Sequence, residues 1–186
     1  YTNDSNIIKH VLLKLNPLGD TVWTRINSIS NHENLISRSV CVDNSGNIFV
    51  AADARNLTSG MTDFVLMKFN ASGNLINQKI YAAPSNCSYN SVKALCDASG
   101  NIFAGVNFSQ APNGFDIEVF KFDNNLGEIF LKRINGAGNS DDGIFDMKFS
   151  QDNNVVLAGK ISSPGSASDM AVIKLNASSG NILWQK

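Results

Sequence analysis

The residues whose types could do chemistry in this chain are two histidines, three cysteines and a scatter of carboxylates, and their spacing does not assemble a catalytic set. His10 and His32 have no motif partner. There is no HExxH pair to hold zinc, no phosphate-cradling P-loop and no nucleophile elbow. Glu33, Glu118 and Glu128 fall at unrelated places along the chain. An acid–base pair would therefore have to be built from distant loops. The turns Asp43–Asn47 (DNSGN) and Asp97–Asn101 (DASGN) faintly resemble a calcium loop. Calcium takes about six to eight oxygens, with a bidentate glutamate in the EF-hand, and no such glutamate follows either turn. Both read as hairpin turns. The sequence thus assigns no catalytic residue, no metal ligand and no cofactor.

The cysteines are Cys41, Cys87 and Cys96, an odd number that cannot all pair within the chain. In the recurrence set out below, Cys41 aligns with Leu95 and Cys96 with Val42. That offset of one residue puts them on opposite faces of equivalent strands. They read as three free thiols, with Cys41 and Cys96 as small core residues. Six Asn-x-Ser/Thr sequons occur, at Asn3, Asn56, Asn70, Asn86, Asn107 and Asn176. Glycosylation is one reading. Turn chemistry is the favoured one, because Asn, Ser and Gly are the residues that turns prefer.

Composition excludes several classes. Hydrophobic residues make up 43% of the 186, enough for a core, and the net charge of −1 offers no basic face for nucleic acid. No apolar run approaches the roughly 20 residues of a membrane helix. The opening residues, YTNDSNII, lack the basic and apolar regions of a signal peptide. A leader would have been removed, or the chain is a piece of a longer protein.

The elements that must position these residues recur. Asp63–Asn74 (DFVLMKFNASGN) returns as Asp116–Glu128 (DIEVFKFDNNLGE) and Asp169–Asn181 (DMAVIKLNASSGN), with a weaker copy at Lys9–Asp20 (KHVLLKLNPLGD). Lys14, Lys68, Lys121 and Lys174 are 54, 53 and 53 residues apart, and Gly19, Gly73, Gly127 and Gly180 are 54, 54 and 53 apart. Each copy holds four short strands rich in Val, Ile, Leu and Phe, joined alternately by tight turns such as SGN and by longer connections. Nothing sustains a helical period. In the strand opening at Asp63, Val65, Met67 and Phe69 point one way and Phe64 and Leu66 the other, so both faces are apolar. Such a sheet packs between neighbours. Four antiparallel strands in about 53 residues is the size of a propeller blade.

The run VCVDNSGNIFVAAD followed by DFVLMKFNASGNLINQKI resembles the bacterial seven-bladed β-propeller repeats of the SBBP type, with a layout similar to NHL repeats. The resemblance spans residues 7–186. It implies an all-β propeller of three full four-stranded blades, at about 38–81, 92–134 and 144–186, plus a leading half blade at 7–27. The blades would be part of a larger seven-bladed ring. The NHL-like order puts the RSVCVD-type strands innermost. The third copy departs from the pattern: Ser150 and Asn153 stand where Asp and Gly occupy positions 43 and 46, and 97 and 100.

The expected function is a non-enzymatic binding or scaffold platform, secreted or at the cell surface. A fragment of a propeller enzyme (a lyase, hydrolase or quinoprotein) and a structural repeat of a surface assembly are the alternatives. Expected partners are a protein or a glycan, and the remaining blades in the same or another chain. Nucleic acid and a membrane span are not expected. The recurring lysines read as side chains lying along a strand, with the ammonium bonded at the blade end. Asp63, Asp116 and Asp169, where a loop meets a strand, read as acceptors for loop amides. The tight turns at 44–47, 71–74, 98–101 and 124–127 share one end of the sheets. The longer connections, 27–37, 54–62, 82–91, 107–115, 135–143 and 162–168, share the other. Long loops on a rigid scaffold carry binding groups, so the ligand face is placed there, with His32, Arg55, Tyr89, Phe108, Asp141 and Asp142.

Overall fold

The computed structural model describes residues 9–110, 114–138 and 140–186. Residues 7 and 8 of the expected half blade, the sequon at Asn3 and parts of the connections 107–115 and 135–143 lie outside them. The described residues form fourteen strands and no helix. Every sheet is antiparallel, with its strands in chain order, as hairpin connections impose. A two-stranded sheet comes first: β1 (His10–Leu15) with β2 (Thr21–Asn27). The first four-stranded sheet is β3 (His32–Val42), β4 (Ile48–Asn56), β5 (Thr62–Phe69) and β6 (Leu75–Tyr81). The second is β7 (Cys87–Cys96), β8 (Ile102–Gln110), β9 (Phe115–Phe122) and β10 (Glu128–Ile134). The third is β11 (Gly143–Phe149), β12 (Val155–Ser163), β13 (Ser166–Leu175) and β14 (Ile182–Gln185).

The sheets stack in sequence, which is why the third strands are apolar on both faces. Val65, Met67 and Phe69 pack with Leu12 and Trp23 of the two-stranded sheet. Phe64 and Leu66 face the other way, onto Tyr89, Phe120 and Phe122 of the second sheet. At the next interface Phe103, Ile117 and Val119 meet Ile144, Leu157 and Ile173. Each fully buried side chain of this size contributes about 1.5–3 kcal/mol. The fourth strands β6 and β14 are mostly exposed. Successive sheets approach along their first strands: β7 lies against β3, and β11 against β7. The arrangement is blade-like, and the described sheets do not close on themselves.

Three expectations change. First, Cys41 and Cys96 are joined in a disulfide, their Cα atoms 5.9 Å apart, and only Cys87 is a free thiol, buried. The two positions do lie on opposite strand faces. In stacked sheets, however, the forward face of one sheet meets the rear face of the next, so opposite faces of consecutive copies are the ones that touch. Second, Gly127 is not the structural counterpart of Gly73. Gly73 (φ 78°) bonds back to Asn70, and the residue that bonds back to Asp123 in the same way is Leu126, at φ 65°. A left-handed leucine costs about 1–2 kcal/mol, and here it is offset by burial of the side chain among Phe120 and Phe122. Third, the strands flanking the long connections are longer than their apolar runs. β3 begins at His32 rather than Arg38, β7 at Cys87 rather than Val92, and β8 runs on to Gln110.

Candidate functional site

Those strand extensions absorb most of the residues expected in long loops. His32 opens β3, Arg55 lies in β4, Tyr89 in β7 and Phe108 in β8. Only Asp141 and Asp142 stand in a connection. The His32 ring nitrogens face Ser30 O at 2.9 Å and Asp63 Oδ2 at 2.8 Å, and the side chain is 6% exposed. Asp63 also accepts from Asn56 Nδ2 (2.9 Å) and the Ala83 amide (2.8 Å), the loop-amide role expected of it. Among the described residues no backbone amide donates to Asp116, and Asp169 lies at the surface. Arg55 meets Glu33 across the β3–β4 pair at 2.6 Å, an exposed contact worth about 0.2–1 kcal/mol.

In the second sheet Tyr89 and Phe108 are buried against each other, ring centroids 5.1 Å apart. The Arg133 guanidinium lies 4.5 Å from the Phe108 centroid and donates through Nε to Glu118 Oε1 at 2.9 Å. Burial, and then the Glu118 carboxylate, hold the Tyr89 phenol well above its ordinary value. Burial also raises the Asp116 carboxyl, against the pull of Arg133 and with the help of Asp142. Asp142 is itself buried, accepting from the Gly136 amide at 2.5 Å and the Ser162 amide at 2.6 Å. Asp141 Oδ1 accepts from the Phe115 amide at 3.1 Å. The six residues therefore fall in separate groups, one per sheet or connection. Their polar atoms tie strands and loops together.

The better-formed cleft is at the tight-turn end. There Asp43 Oδ1 accepts from the amides of Ser45 (2.9 Å) and Asn47 (2.8 Å), closing the β3–β4 turn. Asp97 does the same with Ser99 (2.9 Å) and Asn101 (2.8 Å). Burial pushes the Asp43 carboxyl up. Bonds from Asn47 and Ser45 and the nearby Lys68 ammonium outweigh it, so the net shift is downward.

Lys68 and Lys121 occupy matching registers, opposite Phe49 and Phe103. Lys68 Nζ donates to Asn124 O at 2.8 Å and to Asn124 Oδ1. Lys121 Nζ donates to Ala177 O, also at 2.8 Å, and lies 4.9 Å from the Phe103 centroid. Both lysines thus bond at a sheet end, as expected, and each does so across an interface to the next sheet. Lys174 instead pairs with Asp152 of its own sheet at 2.7 Å.

Beside Lys121, between the second and third sheets, is a polar cleft of about 450 Å³ lined by Asp97, Ser99, Phe149, Asn153 and Ala177. Its counterpart between the first and second sheets is only about 50 Å³. These cleft residues were not among the expected site residues. The signal that would have found them is the third position after each recurring lysine: Ala71, Asn124 and Ala177. Among the described residues no group of three His, Cys, Asp or Glu could hold a metal ion. Nor is any helix long and apolar enough to cross a membrane.

No family model matches the chain, and no curated protein matches it. Among solved structures it is similar to a crystal structure described as a protein of unknown function from Dyadobacter fermentans DSM 18053. The TM-score is 0.59 at 13% identity, over 83% of this chain and 45% of that one. The chain spans less than half the length of that structure, and the likeness is one of fold.

Proposed function

We propose that the chain is a run of β-propeller blades of the SBBP type, three complete and one half, acting as a non-enzymatic binding or scaffold module outside the cell or at its surface. The observation that carries this reading is the stacking of antiparallel sheets along their first strands, with the third strands β5 and β9 each buried on both faces by different neighbours. The exterior location draws on the Cys41–Cys96 disulfide, since such bonds persist in oxidising compartments. The module has two kinds of partner. One is a protein or glycan at the long-connection end. The other is further blade strands, from the same or another chain, adding to the open edge of β1. That edge leaves Val11, Leu13 and Leu15 42–50% exposed, beside a groove of about 360 Å³ floored by Val40, Val42 and Ile48. Two added strands would complete a fourth four-stranded sheet and cover this apolar surface.

The test is a glycan array and a protein pull-down with two sets of variants. Arg55→Ala and Asp141→Ala alter the long-connection end; Ser72→Ala and Asn125→Ala alter the tight turns. Binding lost in the first set alone supports the placement, and loss confined to the second overturns it. Cleavage products from any captured glycan would overturn the non-enzymatic reading.

A further inference from the structure

Two of the inter-sheet clefts at the tight-turn end, each with both a recurring lysine and a turn aspartate, form an internal comparison. Between the first and second sheets a lysine and a turn aspartate, Lys68 and Asp43, are bridged by one carboxamide. Asn124 Oδ1 accepts from Lys68 Nζ, and Asn124 Nδ2 lies 3.5 Å from Asp43 Oδ2. Room for that side chain depends on Gly100, where an added Cβ would fall 2.5 Å from Asn124 Nδ2. Between the second and third sheets the same lysine and aspartate are present as Lys121 and Asp97, but Ala177 stands in place of Asn124. Asn153 stands in place of Gly100 and has left-handed backbone, φ 58°. Its side chain lines the cleft but hydrogen-bonds to neither Lys121 nor Asp97.

The consequences are chemical. A lysine ammonium has three N–H donors, and the Lys121 ammonium makes one hydrogen bond, to Ala177 O at 2.8 Å. Asp97 Oδ2 accepts one bond, from Asn101 Nδ2 at 2.8 Å, and keeps lone-pair capacity. Lys121 and Asp97 form no ion pair with each other. A donor and an acceptor thus flank a cleft of about 450 Å³, a volume within the usual range for small-ligand sites. Phe149, which meets Phe103 edge-on at 5.5 Å, gives it an apolar wall.

We propose that this cleft binds a carboxamide group supplied by a ligand, with Lys121 Nζ donating to its oxygen and Asp97 Oδ2 accepting from its N–H. The ligand occupies the place that Asn124 fills from within the chain at the neighbouring interface. A primary amide, as in an asparagine or glutamine side chain, reproduces the Asn124 geometry. The acetamido group of an amino sugar offers the same donor and acceptor.

The experiment is a titration of the isotope-labelled protein, following backbone amide signals of residues 97–101 and 121. The probes are Gly-Asn-Gly, the side-chain control Gly-Leu-Gly, and N-acetylglucosamine. Gly-Asn-Gly should shift those signals with a dissociation constant on the order of 1 mM, the range for a fragment of this size. Ala177→Asn should close the cleft as Asn124 does, weakening binding at least about tenfold while signals elsewhere stay put; the factor is that of one lost charged hydrogen bond. If that variant does not fold, Lys121→Met reads the same loss. N-acetylglucosamine shifting the signals in place of Gly-Asn-Gly, with the same loss in Ala177→Asn, supports the amide chemistry and assigns its source to an amino sugar. Three results overturn the proposal: equal binding of Gly-Leu-Gly, unchanged binding in Ala177→Asn, or no binding by the native chain where Asn153→Ala binds. The last would mean that Asn153 turns in and satisfies the pair itself.

Discussion

Breaking the Cys41–Cys96 bond should cost this chain a large share of its stability, and the size follows from its position. The disulfide joins residues 55 apart in sequence, one near the end of β3 and one at the end of β7. Closing a loop of that length removes chain entropy from the unfolded state worth about 4 kcal/mol at 25 °C in the loop-entropy model. Against a typical total of about 5–15 kcal/mol, that is a quarter or more of the whole. The apolar contacts between the first two sheets survive reduction, so the reduced protein should stay folded with a lower margin. With a urea slope of about 2 kcal/mol/M, 4 kcal/mol becomes a midpoint lowered by about 2 M. Urea unfolding of the oxidised protein, the reduced protein and Cys41→Ala/Cys96→Ala measures this, with fluorescence from Trp23 and Trp184 as the signal. Thiol titration checks the premise. Unfolded but unreduced protein should show one thiol, Cys87, whereas native protein should show almost none, because Cys87 is 3% exposed. Three thiols in unreduced protein would refute the pairing. A midpoint unchanged on reduction, with the bond confirmed, would refute the entropic reasoning.

Two further outcomes follow from buried polar groups. Arg133→Met leaves Glu118, whose side chain is 1% exposed and whose Oε2 has no hydrogen-bond partner, as an uncompensated charge; the cost should be about 3–5 kcal/mol, measured by chemical denaturation. Adding Glu118→Met should recover most of it, and a double variant no more stable than the single one would contradict this account. His10 is 2% exposed, bonded through Nδ1 to Ser37 Oγ and stacked on Phe69 at 5.8 Å, and burial lowers its pKa from the ordinary 6.5. Below 6.5 the unfolded chain binds a proton that the folded chain resists, so His10 should erode stability as pH falls through 6.5 toward its depressed folded value. Melting temperatures of the native protein and His10→Phe should diverge as pH falls from 7 to 5, the native protein losing more; parallel curves would count against it.

Which of these groups could be read from the sequence depends on how far apart their determinants lie. The strands could be, because alternation and turn residues are local; each of the fourteen strands overlaps an apolar run bounded by a turn signal. Alternation in DFVLMKF also separated Val65, Met67 and Phe69 from Phe64 and Leu66, and these face different neighbours. The extensions of β3 and β7 were not legible. HENLIS and CSYNS are polar, and they extend the strands through backbone ladder bonds to β4 and β8, which composition does not reveal. The glycine at 127 misled for a related reason. Spacing counts residues, whereas the turn is set by which residue bonds back to Asp123, and Leu126 does so because its side chain has a core to enter.

The cysteines and the cleft show a harder limit. Each is a property of an interface, so it takes one residue from one copy and a second from the next. Comparing copies position by position asks whether they are alike, and by that measure Cys41 and Cys96 look mismatched and Ala177 looks like an ordinary turn residue. The informative comparison pairs the forward face of one copy with the rear face of its successor. Read that way, Cys41 meets Cys96, Lys68 with Asp43 meets Asn124, and Lys121 with Asp97 meets Ala177. Only the last interface leaves its lysine and aspartate unbridged. The turn holding Ala177 closes from Asn176 to Asn181, one residue longer than that from Asp123 to Gly127, yet Ala177 O meets Lys121 as Asn124 O meets Lys68, so the pair goes unbridged for want of side chains: Asn153 stands for Gly100 and Ala177 for Asn124.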